Sequence, residues 1–277
     1  MTELQSQLVI FSLFLAVLGA FWWLFIHPAH RRRRLDSQPF PAEWLAMLRR
    51  TLPWYDRMTR EEQQALQNLI KRFLDEKVFV PCAGQPVNDA VRLSIAAQAC
   101  LLLLHRQGEG YADLKYILVY PAEFRVNRPV QDDAGLVSHD RSILAGESWE
   151  DGRIVLSWDN VEEGMADLGD GYNVVLHEFA HQLDQATGFA NGAPALDAKQ
   201  GYETWSRVMS AAFEQLEHAA EAGQPSLFDY YGATDPAEFF AVATEVFYEK
   251  PAAMADQHPD VFAQLLGYYR VDPRKWH

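Results

Sequence analysis

Apolar residues recur along this chain in three rhythms, and each rhythm predicts a different kind of element. Leu66, Leu69, Ile70, Phe73 and Leu74 follow the spacing i, i+3, i+4, i+7, i+8, which gives a helix one apolar face and one solvated face. Thr59-Arg60-Glu61-Glu62 just before it has the form of a capping box and starts that helix. Asn88 to His105 reads as a second, more buried helix ending near Gly108-Glu109-Gly110, with His105 as a cation at its C-terminal end. Tyr202 to Ala220 predicts a long amphipathic helix, with Trp205, Val208, Met209, Ala212, Phe213 and Leu216 inside and His218 in solvent. A shorter helix is expected around Trp44 and Leu45.

The second rhythm is that of short buried strands. Tyr116-Ile117-Leu118-Val119-Tyr120 is stopped by Pro121, and Ile154-Val155-Leu156-Ser157-Trp158 follows an Asp151-Gly152 turn. The segment between them, with Ser142-Ile143-Leu144, adds a hairpin, and His139 falls in a polar turn expected at the surface.

The third rhythm is unbroken. Leu8 to Ile26 holds 19 residues without a charge, close to the hydrocarbon thickness of a bilayer at about 1.5 Å per residue, and predicts a transmembrane helix. Trp22 and Trp23 sit at one end as interfacial anchors would, and Arg31-Arg32-Arg33-Arg34 follows. A cleaved signal peptide would carry its basic residues before the apolar run and a small-residue cleavage site after it. A core helix would show a polar face. The arginines then predict a single-pass protein of the inner (cytoplasmic) membrane. Residues 1–7 would lie outside, 8–26 would form the anchor, and 27–52 a basic, Pro-containing linker. The domain 53–277 would lie in the cytoplasm with the membrane as a partner.

Composition narrows the function. The chain has 277 residues, 49% of them hydrophobic, and a net charge of −14, so it has no basic footprint for nucleic acid. Residues 1–34 carry four arginines and one glutamate, net +3, which leaves −17 on the remainder. Two cysteines, Cys82 and Cys100, without a Cys-x-x-Cys, argue against a disulfide scaffold.

The candidate chemistry lies in Val174-Val175-Leu176-His177-Glu178-Phe179-Ala180-His181-Gln182-Leu183, which contains His-Glu-x-x-His. Two histidines four apart on a helix share a face and can hold one zinc ion, leaving Glu178 to take a proton from a water on that metal. The flanking residues are uncharged, so the helix is expected to be buried, running from near Asp170 or Gly171 to Gly188. Two histidines merely hydrogen-bonded in a core remain the rival, and a third ligand would decide.

Glu238 is the candidate third ligand, on a helix from Pro236 to about Glu249 that Asp235 caps and Pro236 opens. It also falls where a capping-box glutamate would, so both roles stay open. Glu238, Val242 and Glu245 share one face. Glu245 among Phe239, Phe240, Val246 and Phe247 needs a partner, either a zinc-bound histidine or a salt bridge. Asp184 and Thr187 stand where the longer motif His-Glu-x-x-His-x-x-Gly-x-x-His needs glycine and histidine, which excludes a metzincin and favours a carboxylate third ligand.

His177-Glu178-Phe179-Ala180-His181-Gln182-Leu183-Asp184, together with Tyr231 and Glu238-Phe239-Phe240-Ala241, resembles the Mlc titration factor A family of bacterial zinc peptidases. The resemblance covers roughly residues 53–273 and includes Tyr120-Pro121-Ala122-Glu123-Phe124 and Gly146-Glu147-Ser148-Trp149. Around the same two motifs the chain is similar to the catalytic domain of anthrax lethal factor. The resemblance implies a mostly helical α+β, zincin-like metallopeptidase domain of gluzincin type, with a small sheet before the motif helix. It implies Zn²⁺ held by His177, His181 and Glu238, with Glu178 as base and Tyr231 assisting the reaction.

The expected activity is hydrolysis of peptide bonds in a peptide or protein substrate, with aminopeptidase action one form of it. The rival function is capture of a cytoplasmic transcriptional repressor of sugar uptake, which the family's name implies as a partner. A helical scaffold without metal is the blander alternative.

Overall fold

The computed structural model describes residues 3–22, 27–106, 111–122, 124–131, 137–144, 146–149, 152–186, 188–196 and 201–277. Two compact units emerge, Met1–Pro41 and Ala42–His277. The first contains α1 (Glu3–Phe21) and α2 (His27–Ser37).

Here the expectation of a membrane anchor is corrected: no helix of the described residues is long and apolar enough to cross a membrane. The reason lies in where α1 runs. Its first turn and a half holds Glu3, Gln5, Ser6 and Gln7, and it ends at Phe21. The uncharged part inside the helix, Leu8 to Phe21, is 14 residues, about 21 Å at 1.5 Å per residue, against a hydrocarbon core of about 30 Å. Trp23 to Ile26, needed to complete the span, lie outside the described residues. The transmembrane segment in the expected fold class, the inner-membrane location and the membrane as partner all fall with it.

The second unit is built on a small sheet with helices packed round it. After α3 (Ala42–Thr51) comes α4 (Arg60–Glu76), opened by the capping box as expected: the Glu62 N–H donates to Thr59 Oγ1 and the Thr59 N–H to Glu62 Oε2. Next are β1 (Val78–Pro81), α5 (Asp89–Leu101) and β2 (Tyr116–Tyr120). The strands β3 (Phe124–Gln131) and β4 (Val137–Leu144) form a separate antiparallel pair, which takes in the hairpin expected around Ser142. The side chain of His139 lies outside the described residues.

β5 (Gly146–Trp149) and β6 (Arg153–Ser157) return to the main sheet, whose order is β1-β2-β6-β5. β1, β2 and β6 are parallel, and β5 is an antiparallel edge strand. Ile117, Val119, Ile154 and Leu156 are fully buried, which is why these runs are short and almost continuously apolar.

The helices after the sheet carry the site. α6 (Trp158–Ala166) is followed by α7 (Val174–Gln185), which packs against β5, β6 and α5. Phe179 anchors α7 through Phe73 and Tyr111, at ring-centroid distances of 5.7 and 4.8 Å. α8 (Tyr202–Ala222) and α9 (Pro236–Glu249) come next, and α9 lies along α7. α10 (Pro251–Gln257) and α11 (Pro259–Tyr269) close the far side, with Tyr268 edge-on to Phe240 and Tyr269 stacked on Phe247.

Candidate metal centre

Two helix starts determine where the candidate ligands lie. Asn173 caps α7, its side-chain oxygen accepting the Leu176 N–H at 3.1 Å, and the helix then carries His177 and His181 one turn apart. Asp235 caps α9, its Oδ1 accepting the N–H of Ala237 at 2.8 Å and of Glu238 at 3.0 Å, with Pro236 at the first helical position. These starts bring three donor atoms to one point. Glu238 Oε2 is 2.9 Å from His177 Nε2 and 3.3 Å from His181 Nε2, and the two Nε2 atoms are 3.2 Å apart. The side chains of His177, His181 and Glu238 are 12, 10 and 19% exposed, so the point is sheltered yet open to solvent.

The donor set fits a cation. His177 has a carboxylate at each ring nitrogen: Glu245 Oε1 lies 2.7 Å from Nδ1, and Glu238 Oε2 lies 2.9 Å from Nε2. A neutral imidazole has one N–H, so one of its nitrogens must face a carboxylate lone pair with its own unless a positive charge intervenes. Burial alone would lower the His177 pKa, but Glu245 and Glu238 outweigh it and hold the ring well above its usual value. For Glu238 burial pushes upward, and hydrogen bonds to His177 and His181 overcome it and hold the carboxylate well below its usual range. Four tetrahedral donors at about 2.0–2.1 Å from a metal stand about 3.3–3.4 Å from one another. The three observed separations are close to that, and this trio could hold a metal ion.

Glu178 lies 5% exposed on the same helix, and its Oε2 has no hydrogen-bond partner among the described residues. Burial holds its carboxyl above the usual range against the opposing pull of the two histidines. Tyr231 sits in a 3-10 turn, Tyr230–Ala233, that Asp229 caps by accepting the Tyr231 N–H at 2.7 Å. Its ring centroid is 5.8 Å from that of His177 and the residue is 56% exposed. Desolvation, then the carboxylates of Glu238 and Glu178, keep the phenol above its usual pKa, so it holds its proton at neutral pH.

Behind His177 lies a buried polar network. Glu245 takes the histidine on one oxygen and the Asn173 backbone N–H on the other. The Asn173 amide donates to Gln98 Oε1 at 2.7 Å and to Glu249 Oε1 at 3.0 Å, and Glu249 Oε2 accepts the Gly171 N–H at 3.1 Å. The partner of Glu245, open between two choices in the sequence, is thus His177.

All five residues singled out in the sequence, His177, Glu178, His181, Tyr231 and Glu238, are brought together. Other histidines lie elsewhere: His105 is 3.4 Å from Glu62, and His218 is exposed beside Glu221. Sequence reasoning missed Asn173 and Glu249 as partners, and gave Asp184 no role beyond excluding one motif and extending the family resemblance. A signal for Asp184 was present, since an acid three residues after His181 on a helix expected to be buried needs a partner.

The sequence profile of the glucose-regulated metallo-peptidases M90 matches residues 27–270. The chain belongs to that family. M90 metallopeptidase membership agrees with a half-buried trio able to hold a metal. Among its relatives is the uncharacterized protein slr2042 of Synechocystis, 36% identical over 270 residues that cover 96% of this chain and 97% of that protein. The Mlc titration factor A of Cronobacter sakazakii is 33% identical over 236 residues, covering 84% of this chain and 87% of the relative. That of Escherichia coli O1:K1 / APEC is 33% identical over 233 residues, covering 80% and 87%.

Proposed function

We propose that this M90 protein is a zinc-dependent peptidase, with His177, His181 and Glu238 holding the ion, Glu178 as general base and acid, and Tyr231 as oxyanion donor. The observation that carries it is the convergence of two imidazoles and a carboxylate beside a buried glutamate with an unpartnered oxygen. A zinc ion bound there would polarise the substrate carbonyl and bring the pKa of a bound water toward about 7. Glu178 takes the proton of the attacking water on Oε2 as a carboxylate and then delivers that proton to the leaving amine. Tyr231 keeps its phenolic proton and donates a hydrogen bond to the carbonyl oxygen as charge develops there. The strand β5, packed on α7, is the sheet's edge among the described residues, where an extended substrate chain could pair.

The test joins metal content to turnover. Glu178→Gln is expected to retain one zinc per chain and to lose peptide hydrolysis, whereas Glu238→Ala is expected to lose zinc. Hydrolysis by Glu178→Gln at the parent rate would remove the base assignment, and full zinc in Glu238→Ala would remove the ligand. Digestion of a peptide library by the parent separates aminopeptidase from endopeptidase action.

A second reading is favoured by the relatives called Mlc titration factor A: binding of a transcriptional repressor. The two are compatible, and Glu178 favours the enzyme, because a site kept only for structure has no use for it. Retention of a repressor by Glu178→Gln in a pull-down separates binding from turnover.

A further inference from the structure

We propose that Asp184 and Gly192 are positioning residues: together they clamp the first turn of α9 against the end of α7 and so set where Glu238 meets the two histidines. This rests on the metal-centre reading above. Asp184 is fully buried on α7, three residues after His181. Its Oδ2 accepts the Gly192 N–H at 2.7 Å, and the loop holds its own shape next to that bond, the Ala193 N–H donating to Asn191 Oδ1 at 3.0 Å. The next polar group of the same loop is held as firmly. Trp205 of α8, 1% exposed, donates its indole N–H to the Gly192 carbonyl at 2.8 Å. The backbone on either side of Gly192 is therefore fixed by buried partners from two helices.

Gly192 then meets α9 directly. Its φ of +75° lies in the left-handed region, and a Cβ at this position would stand 2.3 Å from the Pro236 carbonyl oxygen and 2.8 Å from its carbon. No side chain fits unless the loop or the helix start moves. Pro236 is the first residue of α9 and Glu238 is two residues on, in the same turn. A displacement of Pro236 is thus passed to the third donor through a single rigid turn. The path runs from the helix of the two histidines, through the Asp184 carboxylate and the Gly192 backbone, to the helix of the carboxylate ligand. It gives a buried acid at 184 a use: a carboxylate makes a charge-assisted, and so stronger, bond to the Gly192 N–H.

Ordinary packing would affect stability alone, so the test reads metal binding. Gly192→Ala and Asp184→Asn are compared with the parent and with Leu66→Ala, a cavity in α4 that lowers Tm. Zinc affinity is measured by competition with a chromophoric chelator, well below every Tm, and the visible spectrum is recorded with cobalt(II) as the bound ion. Gly192→Ala and Asp184→Asn are expected to lose zinc affinity by about tenfold or more and to shift the cobalt bands. Leu66→Ala should match the parent in both. If Gly192→Ala does not fold, Asp184→Asn decides, because it keeps the shape of the side chain while removing the charge that strengthens its bond to the Gly192 N–H. Parent-like affinity and spectra in the folded variants overturn the clamp and leave the metal centre standing. A parent that binds neither zinc nor cobalt overturns both.

Discussion

At the residue scale, the site is a problem of too many acceptors. His177 is flanked by Glu238 and Glu245, Glu178 stands alongside, and Glu249 lies one turn beyond Glu245. Tyr231 is the exposed donor next to this group, held protonated by desolvation and the same carboxylates. Tyr231→Phe removes the hydroxyl while keeping the ring against His177. It is expected to lower kcat by about 10²–10³ with little change in KM or zinc content. Steady-state kinetics on one peptide substrate checks this, and a change confined to KM would make Tyr231 a substrate-binding residue instead. The residues of the motif were legible from spacing, because i, i+4 on a helix fixes a shared face whatever surrounds it. The partner of Glu245 was narrowed only to a zinc-bound histidine or a salt bridge, since His177 lies 68 positions away and no local pattern carries that separation.

At the scale of elements, caps decided what could be read. Asp235-Pro236 marks the start of α9 unambiguously, and the helix begins there. The start of α7 is less plain. Asp170-Gly171 looks like a helix opening, but Gly171 adopts φ +81° in a turn, and Asn173 is the cap because its amide also serves Gln98 and Glu249. Similarly, α7 ends at Gln185, short of Gly188, as the chain turns to bring Gly192 beneath Asp184.

α9 also stacks Glu245 and Glu249 along one buried edge, and this gives the element a pH dependence. Burial, with the Glu245 charge adding to it against the Asn173 hydrogen bond, pushes Glu249 up to about 8 from 4.5. The folded state then binds more protons than the unfolded chain between these values, so stability falls with rising pH. The contribution is complete below about pH 4.5 and lost as pH passes 8. Thermal unfolding between pH 5 and 8.5 should show Tm declining in the parent, and Glu249→Gln should flatten that decline. An equal slope in the variant would place the titration elsewhere.

At the scale of the whole molecule, the sheet was only half visible. Tyr116–Tyr120 and Ile154–Ser157 announce themselves as apolar runs, but β1 is four residues with an exposed Val78 and takes its place only by pairing with β2. The apolar run at the N-terminus misled for the opposite reason: hydrophobicity was counted along the sequence, whereas a span needs it along one helix, and no helix of the described residues is long and apolar enough. The spacing of the ligands has a topological consequence of its own. His177 and Glu238 are 61 residues apart, and the whole of α8 lies between them. An ion gripping both would staple that loop shut much as a disulfide does, a cross-link whose effect on the unfolded chain is about 4 kcal/mol for a loop of this length. Chelation would cut the staple. Hydrogen exchange should then quicken across α8 and residues 188–196 while α5 and β2 stay slow. Unaltered exchange in α8 would mean that the fold holds this loop closed without help.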